Sequence, residues 1–193
     1  MKNTSARNGF IGFVNLAALF FVFGNFAHAT PVPVCLDKTG VVLPADDDQV
    51  IQLKATTANL YLERAHVTGI IEALYPNQNG HAHFSLRIGT GPKDTLEIIY
   101  NVEFGALPTL ATGMQVEACG DFINQFAVGG GYQPSPDGAI LHWIHQSNSR
   151  NHQSGYVAIN GVTYGLLSQN SGSSTGSENS HGNPNSHGSH HHH

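Results

Sequence analysis

Thirteen histidines stand against eight lysines and arginines in this 193-residue chain, and in the part that reads as folded they are unevenly placed. His81 and His83 flank a turn and the start of a strand. His142, His145 and His152 lie within eleven residues around the only tryptophan, Trp143, and His66 stands alone in a strand. Imidazole ligates transition metals through a neutral nitrogen and exchanges protons near neutrality, so a loop-positioned cluster points to metal ligation or acid–base work. The expected ligands are His81, His142, His145 and His152, and the ions suited to them are zinc or copper. If there is catalysis, His142 and His145 are its candidates, with Asn101 as an orienting hydrogen-bond partner.

The spacing constrains this reading. His81 and His83, at i and i+2, share a strand face. His142 and His145 are three apart and face opposite sides unless the strand ends or bulges between Trp143 and His145, which the polar turn at 147–151 permits. As a metal signature this is far less specific than HExxH or paired CxxC. The competing reading of each histidine is a structural hydrogen bond, and His66 is read that way. Trp143 is read as a core or rim anchor, or else as a stacking platform with Tyr156 and Tyr132. No GxSxG, Cys–His pair or phosphate loop is visible, and Glu117 and Asp121 read as surface positions on a strand.

The elements that must hold these residues are mostly β. Asp46-Asp47-Asp48 can cap a short helix running to about Ala58, after an extended arm over 30–44. Strands are expected at 60–74, with a bend at Gly69, and at 83–88, 95–102, 115–126 and 139–145. A turn cluster spans 76–80, a crossover containing Pro108 spans 105–113, and a glycine-rich loop spans 129–138. Asn160-Gly161 suits a type I′ hairpin turn between 157 and 164. Five main strands with a long bent first one fit a small OB-like barrel, a β-sandwich being the alternative. The units are a leader over 1–29, an arm and helix over 30–58, the β-domain over 59–167 and a tail over 168–193.

The leader has the parts of a secretory signal peptide: Lys2 and Arg7, an apolar run over 10–23, and Ala27-His28-Ala29 at the cleavage site. That run is shorter than the roughly 20 residues needed to span a bilayer. The expectation is a periplasmic or secreted protein with no membrane span after cleavage. Removing the leader takes two of eight basic residues and no acidic one, so the formal charge moves from −5 to −7. That excess of acid argues against nucleic acid and against anionic membranes as partners. In an oxidising compartment Cys35 and Cys119 should form a disulfide, contributing about 4 kcal/mol in the chain-entropy model. The tail is Ser, Gly, Asn and His with almost nothing apolar, so it reads as disordered. Its terminal run, His190 to His193, reads either as a purification tag or, given the preceding His181-Gly182 and His187-Gly188, as native sequence.

The segment His142-Trp143-Ile144-His145, then His152, Gly155-Tyr156, Asn160-Gly161 and Tyr164, resembles an uncharacterised bacterial family of small secreted proteins. That family is a domain of unknown function whose pattern is His-Trp-Thr-His, Asp-Pro, His, Gly-Trp and a closing Gly and Tyr. His81 ahead of Phe84 matches an upstream histidine of the pattern, Asn101 half of a His-Asn pair, and Gly120-Asp121-Phe122 a Gly-Glu-Tyr. The resemblance covers about residues 65–164. It implies a compact β-domain and no established activity. Ile144 replaces Thr, Ser147-Asn148 replaces Asp-Pro and Tyr100 replaces the histidine of His-Asn, so a site built on those groups would be altered here. His83 has no counterpart, which counts against it as an essential ligand.

Taken together, the sequence points to an exported β-domain with a histidine-centred metal site, hydrolytic toward a phosphodiester or similar bond if it is an enzyme. The alternatives are a non-catalytic OB-like module for an oligosaccharide, peptide or nucleic acid, and a structural envelope protein.

Overall fold

The computed structural model describes residues 31–131, 133–149 and 152–166. The leader, the tail and Tyr132 lie outside the described residues. Among the described residues the chain is mostly β with one short α-helix, α1 (Asp47–Thr56), begun as expected by Asp46, whose side chain accepts from the Gln49 amide at 2.9 Å. Asp47 instead reaches across to the backbone and hydroxyl of Thr68, which anchors the helix to the first strand.

Seven strands follow: β1 (Leu62–Gln78), β2 (His81–Arg87), β3 (Thr95–Asn101), β4 (Gln115–Asn124), β5 (Ala139–His142), β6 (Tyr156–Ile159) and β7 (Val162–Tyr164). They form one sheet in the order β1-β2-β3-β5-β4-β6-β7, and β1 also pairs with β4. The first five therefore make a hydrogen-bonded ring in which only β3–β5 is parallel. β1 can serve two neighbours because it changes partner midway, pairing with β4 over 62–70 and with β2 from Ile70 onward. Gly69 sits at that change, where a Cβ would come within 2.2 Å of the Arg87 carbonyl oxygen. A glycine is required there because two backbones approach closely, while the nearest register break of β1 lies beyond it, between Ile71 and Ala73.

Strand alternation sorts the side chains into two faces. Ala82, Phe84 and Leu86 of β2 turn inward with Leu96, Ile98, Tyr100, Phe122, Leu141 and Val157 to form the buried core. Each such burial contributes about 1.5–3 kcal/mol. His81, His83 and Ser85 take the opposite face, beside Glu97, Ile99 and Asn101 across the β2–β3 pair and Ile140 and His142 of β5. The disulfide Cys35–Cys119, with Cα atoms 5.6 Å apart, ties the arm to β4.

Two boundaries differ most from expectation. β1 runs through Pro76 to Gln78, with its register broken between Tyr75 and Gln78, because an irregular stretch tolerates the missing proline donor. The turn is Asn79-Gly80 alone, both at positive φ. β5 stops at His142 rather than His145, since Trp143 takes φ +54°. The Asn160-Gly161 turn is as expected, both residues again at positive φ.

Candidate functional site

Along one edge β4 pairs with β1 over nine residues, but its other edge is divided. Asp121–Asn124 takes β5 and Val116–Cys119 takes β6, leaving Gly120 at the junction. The chain leaves the sheet there, between His142 at the end of β5 and Tyr156 at the start of β6. Three glycines make a slot for it. A Cβ on Gly120 would lie 2.5 Å from the His142 carbonyl oxygen and from the Ile144 side chain. One on Gly155 would lie 2.2 Å from the Trp143 oxygen, and one on Gly165 would lie 2.6 Å from that of Ile144. Ile144 fills the slot completely buried, and hydrogen bonds from Gly155 N to His145 O (2.7 Å) and from Gln146 N to Gly165 O (2.6 Å) fasten its exit. Trp143 absorbs the turn in a left-handed conformation costing a bulky residue roughly 1–2 kcal/mol, while 42% of it stays exposed.

On the outer face His81, His83 and His142 line one cavity of about 220 Å³. Ring centroids are 6.4 Å apart for His81 and His83 and 5.8 Å for His81 and His142. His81 uses Nδ1 toward the Asn79 carbonyl oxygen (2.9 Å) and His83 uses Nδ1 toward Glu97 Oε1 (2.8 Å). In the neutral tautomer that donates through Nδ1, Nε2 of each presents a lone pair. Burial above all, then the neighbouring His81 and His145, pushes the His142 pKa down to about 4 against the opposing pull of Asp121. His142 is therefore neutral at pH 7.

Trp143 separates this cavity from two further histidines, its ring centroid 5.8 Å from that of His142, 5.3 Å from His145 and 4.7 Å from His152. His145 stacks on Phe104 at 3.7 Å and donates Nδ1–H to the Gln146 carbonyl. Burial, with His152 and His81 adding to it, holds its pKa below the usual histidine value although the Gln146 carbonyl opposes. His152 contacts Asp121 Oδ2 through Nε2 at 2.7 Å and the Gln153 carbonyl through Nδ1 at 2.9 Å. Both of its nitrogens are engaged by acceptors, so neither is directed at an ion. Asp121 is shared with Arg64, whose buried guanidinium reaches Asp121 Oδ1 at 3.1 Å, Ser154 O at 2.6 Å, Leu36 O at 3.1 Å and Cys119 Sγ at 3.1 Å.

The four expected ligands therefore divide. His81 and His142 share a cavity, His145 packs against Phe104, and His152 is engaged by Asp121. His83, discounted for want of a counterpart in the resembling family, joins the first pair, as its i, i+2 spacing from His81 had indicated. Asn101 does not orient a histidine, because its side chain caps a 3-10 turn by accepting from Glu103 N at 2.9 Å. Tyr156 offers no stacking face. It is buried, its hydroxyl donates to Glu117 at 2.7 Å, and burial together with that carboxylate raises its pKa. Asp121 is a buried ion-pair member rather than a surface residue, and Arg64 went unnoticed; a lone arginine among the apolar residues of a strand was the available signal. His66 is satisfied structurally by Leu43 O and Glu117. Among the described residues no group of three or more His, Cys, Asp or Glu side chains converges as a ready metal site, and no helix is long and apolar enough to cross a membrane. Compared with protein-family models, curated proteins and solved structures, the chain matches none.

Proposed function

We propose that this is an exported protein built on an OB-like barrel, and that its outer face binds a divalent transition metal, zinc or copper, through Nε2 of His81 and His83 and a ring nitrogen of His142. The ring order β1-β2-β3-β5-β4, with β4 returning to β1 and β3–β5 parallel, supports the barrel. The disulfide fits an oxidising compartment.

The observation that carries the metal reading is the orientation of the imidazoles. Metal-ligating histidines donate their other ring N–H to a carboxylate or backbone carbonyl, which fixes the tautomer. His83 does this to Glu97 and His81 to the Asn79 carbonyl, while His142 is neutral and close by. Zn–N bonds of about 2.1 Å at tetrahedral angles put ligand ring centroids roughly 5 Å apart. The 5.8 and 6.4 Å separations exceed that, so side-chain rotations must close the site on an ion.

The test is the melting temperature of the full chain with and without Zn²⁺ or Cu²⁺. Metal held at 100 times its Kd stabilises the folded state by about 2.7 kcal/mol, or roughly 5–10 °C for a chain of this size. A tail that binds metal equally well folded or unfolded adds nothing to that shift. The shift should vanish in the His81→Ala, His142→Ala double variant. An unchanged melting temperature in the wild type, or an equal shift in the variant, refutes the reading.

A further inference from the structure

The histidine cavity opens sideways into a larger one of about 390 Å³, the two sharing Gln78, Asn79, His83, Ile99 and Ile140. Together they form a cleft over β2, β3 and β5 with a flat apolar floor, Ile99 and Ile140, and a polar rim. The rim carries the amides of Gln78, Asn79 and Gln133, the imidazoles, and the Glu97 carboxylate, which His83 already occupies. Among the described residues no lysine or arginine lines either cavity, and the chain is acidic with a net charge of −5. Without a bound metal, a polyanion would meet no lysine or arginine here and repulsion from the rest of the molecule. A wholly apolar ligand would strand the rim amides without partners.

Trp143 lines neither cavity but stands just beyond the histidine end, its ring centroid 5.8 Å from that of His142. A tryptophan serving the core would be buried, and a turn needing positive φ is usually given to Gly or Asn. Here the chain's only tryptophan takes φ +54° and keeps 42% of its surface in solvent. Strain at an exposed aromatic residue beside a cleft is the pattern of a functional position.

We infer that the cleft binds an uncharged oligosaccharide, with one sugar ring stacked on Trp143 and the following units hydrogen-bonded through their hydroxyls to the rim amides and imidazoles. An apolar ring face edged by hydroxyls matches an indole followed by a flat floor with an amide rim. This inference uses the cleft of the metal proposal without requiring the metal, so it is tested in EDTA and again with Zn²⁺.

The experiment is calorimetric titration of the full chain with neutral hexasaccharides: β-1,4-linked N-acetylglucosamine, β-1,4-linked glucose and α-1,4-linked glucose. Oligogalacturonate, single-stranded dT₁₂ and an uncharged dodecapeptide are the competitors. The wild type should bind at least one neutral sugar saturably, and Trp143 fluorescence should shift in the same titration. Trp143→Asn places a residue suited to left-handed backbone at the turn, which offsets part of the ring packing lost against His142, His145 and His152, so it should still fold yet bind at least tenfold more weakly. Trp143→Phe, which keeps a ring face, should recover part of the loss. Absence of saturable binding to every neutral sugar, tighter binding of a competitor, or undiminished binding by Trp143→Asn each overturns the inference. Sugar binding in EDTA beside a failed Zn²⁺ shift removes only the metal reading, and the reverse result removes only this one.

Discussion

Replacing Gly155 with alanine should unseat the site while leaving its histidines in the sequence. The added Cβ would lie 2.2 Å from the Trp143 carbonyl oxygen, 2.4 Å from that of Cys119 and 2.9 Å from Ile144 Cα. All three are backbone atoms, held by β4 on one side and the 143–145 slot on the other, so no side chain can swing away. Overpacking of this kind costs about 1–3 kcal/mol and occasionally more. Separating Gly155 N from His145 O, now at 2.7 Å, removes a further 0.5–1.5 kcal/mol or so. The expected loss is about 1.5–4.5 kcal/mol. At a urea m-value near 2 kcal/mol/M, within the usual range for small proteins, the midpoint should fall by roughly 0.8–2.2 M. Gly113→Ala is the control: its φ is +86° but nothing lies within 4 Å of the new Cβ, so it should cost only about 1–2 kcal/mol. The assay is urea unfolding followed by Trp143 fluorescence and by circular dichroism. A Gly155→Ala loss no greater than that of Gly113→Ala would refute the slot as the device that positions Trp143 and His145.

Two other outcomes can be checked in the same way. In chelator, His142 should make the fold acid-sensitive. Its folded pKa near 4 lies below the unfolded value near 6.5, so between those values the unfolded chain binds the extra proton and stability falls as pH falls, by about 3 kcal/mol in all. His81, His83, His145 and Asp121 surround it in wild type and variant alike, so denaturation from pH 7 to 4 should show His142→Gln losing about that much less, and parallel curves would contradict the assignment. Arg64→Met leaves the buried Asp121 with His152 alone and strands the Ser154 and Leu36 carbonyls, a loss of about 3–5 kcal/mol, whereas Arg64→Met with Asp121→Leu should recover part of it; denaturation midpoints showing no recovery would refute the pairing.

What the sequence disclosed depended on how local each cause was. The Asp46 cap and the Asn160-Gly161 turn rest on a few neighbouring residues and were legible. So was the alternation of His81 and His83 against Ala82 and Phe84. The disulfide was legible from compartment and cysteine count. The end of β5 was not, because what stops it is a slot built by Gly120, Gly155 and Gly165, which lie far from one another in the chain. Asp121 was misread since nothing near it in sequence announces Arg64, 57 positions away. The histidines were found as a group but not divided correctly, because Trp143 separates them only after it has turned the chain.

The double allegiance of β1 also bears on the order in which the molecule assembles. The β1–β2 and β2–β3 hairpins join residues close in sequence, but the β1–β4 seam brings Leu62 to Ile123, 61 positions along. Loop-closure entropy makes such a contact slow to form. The divided outer edge of β4 is useful to β5 and β6 only once β4 is seated, so the Trp143 turn belongs to the last stage of folding. Cys119 lies within that seam, opposite His66. The bridge from Cys119 to Cys35 therefore ties the arm to that seam and braces it once it has formed.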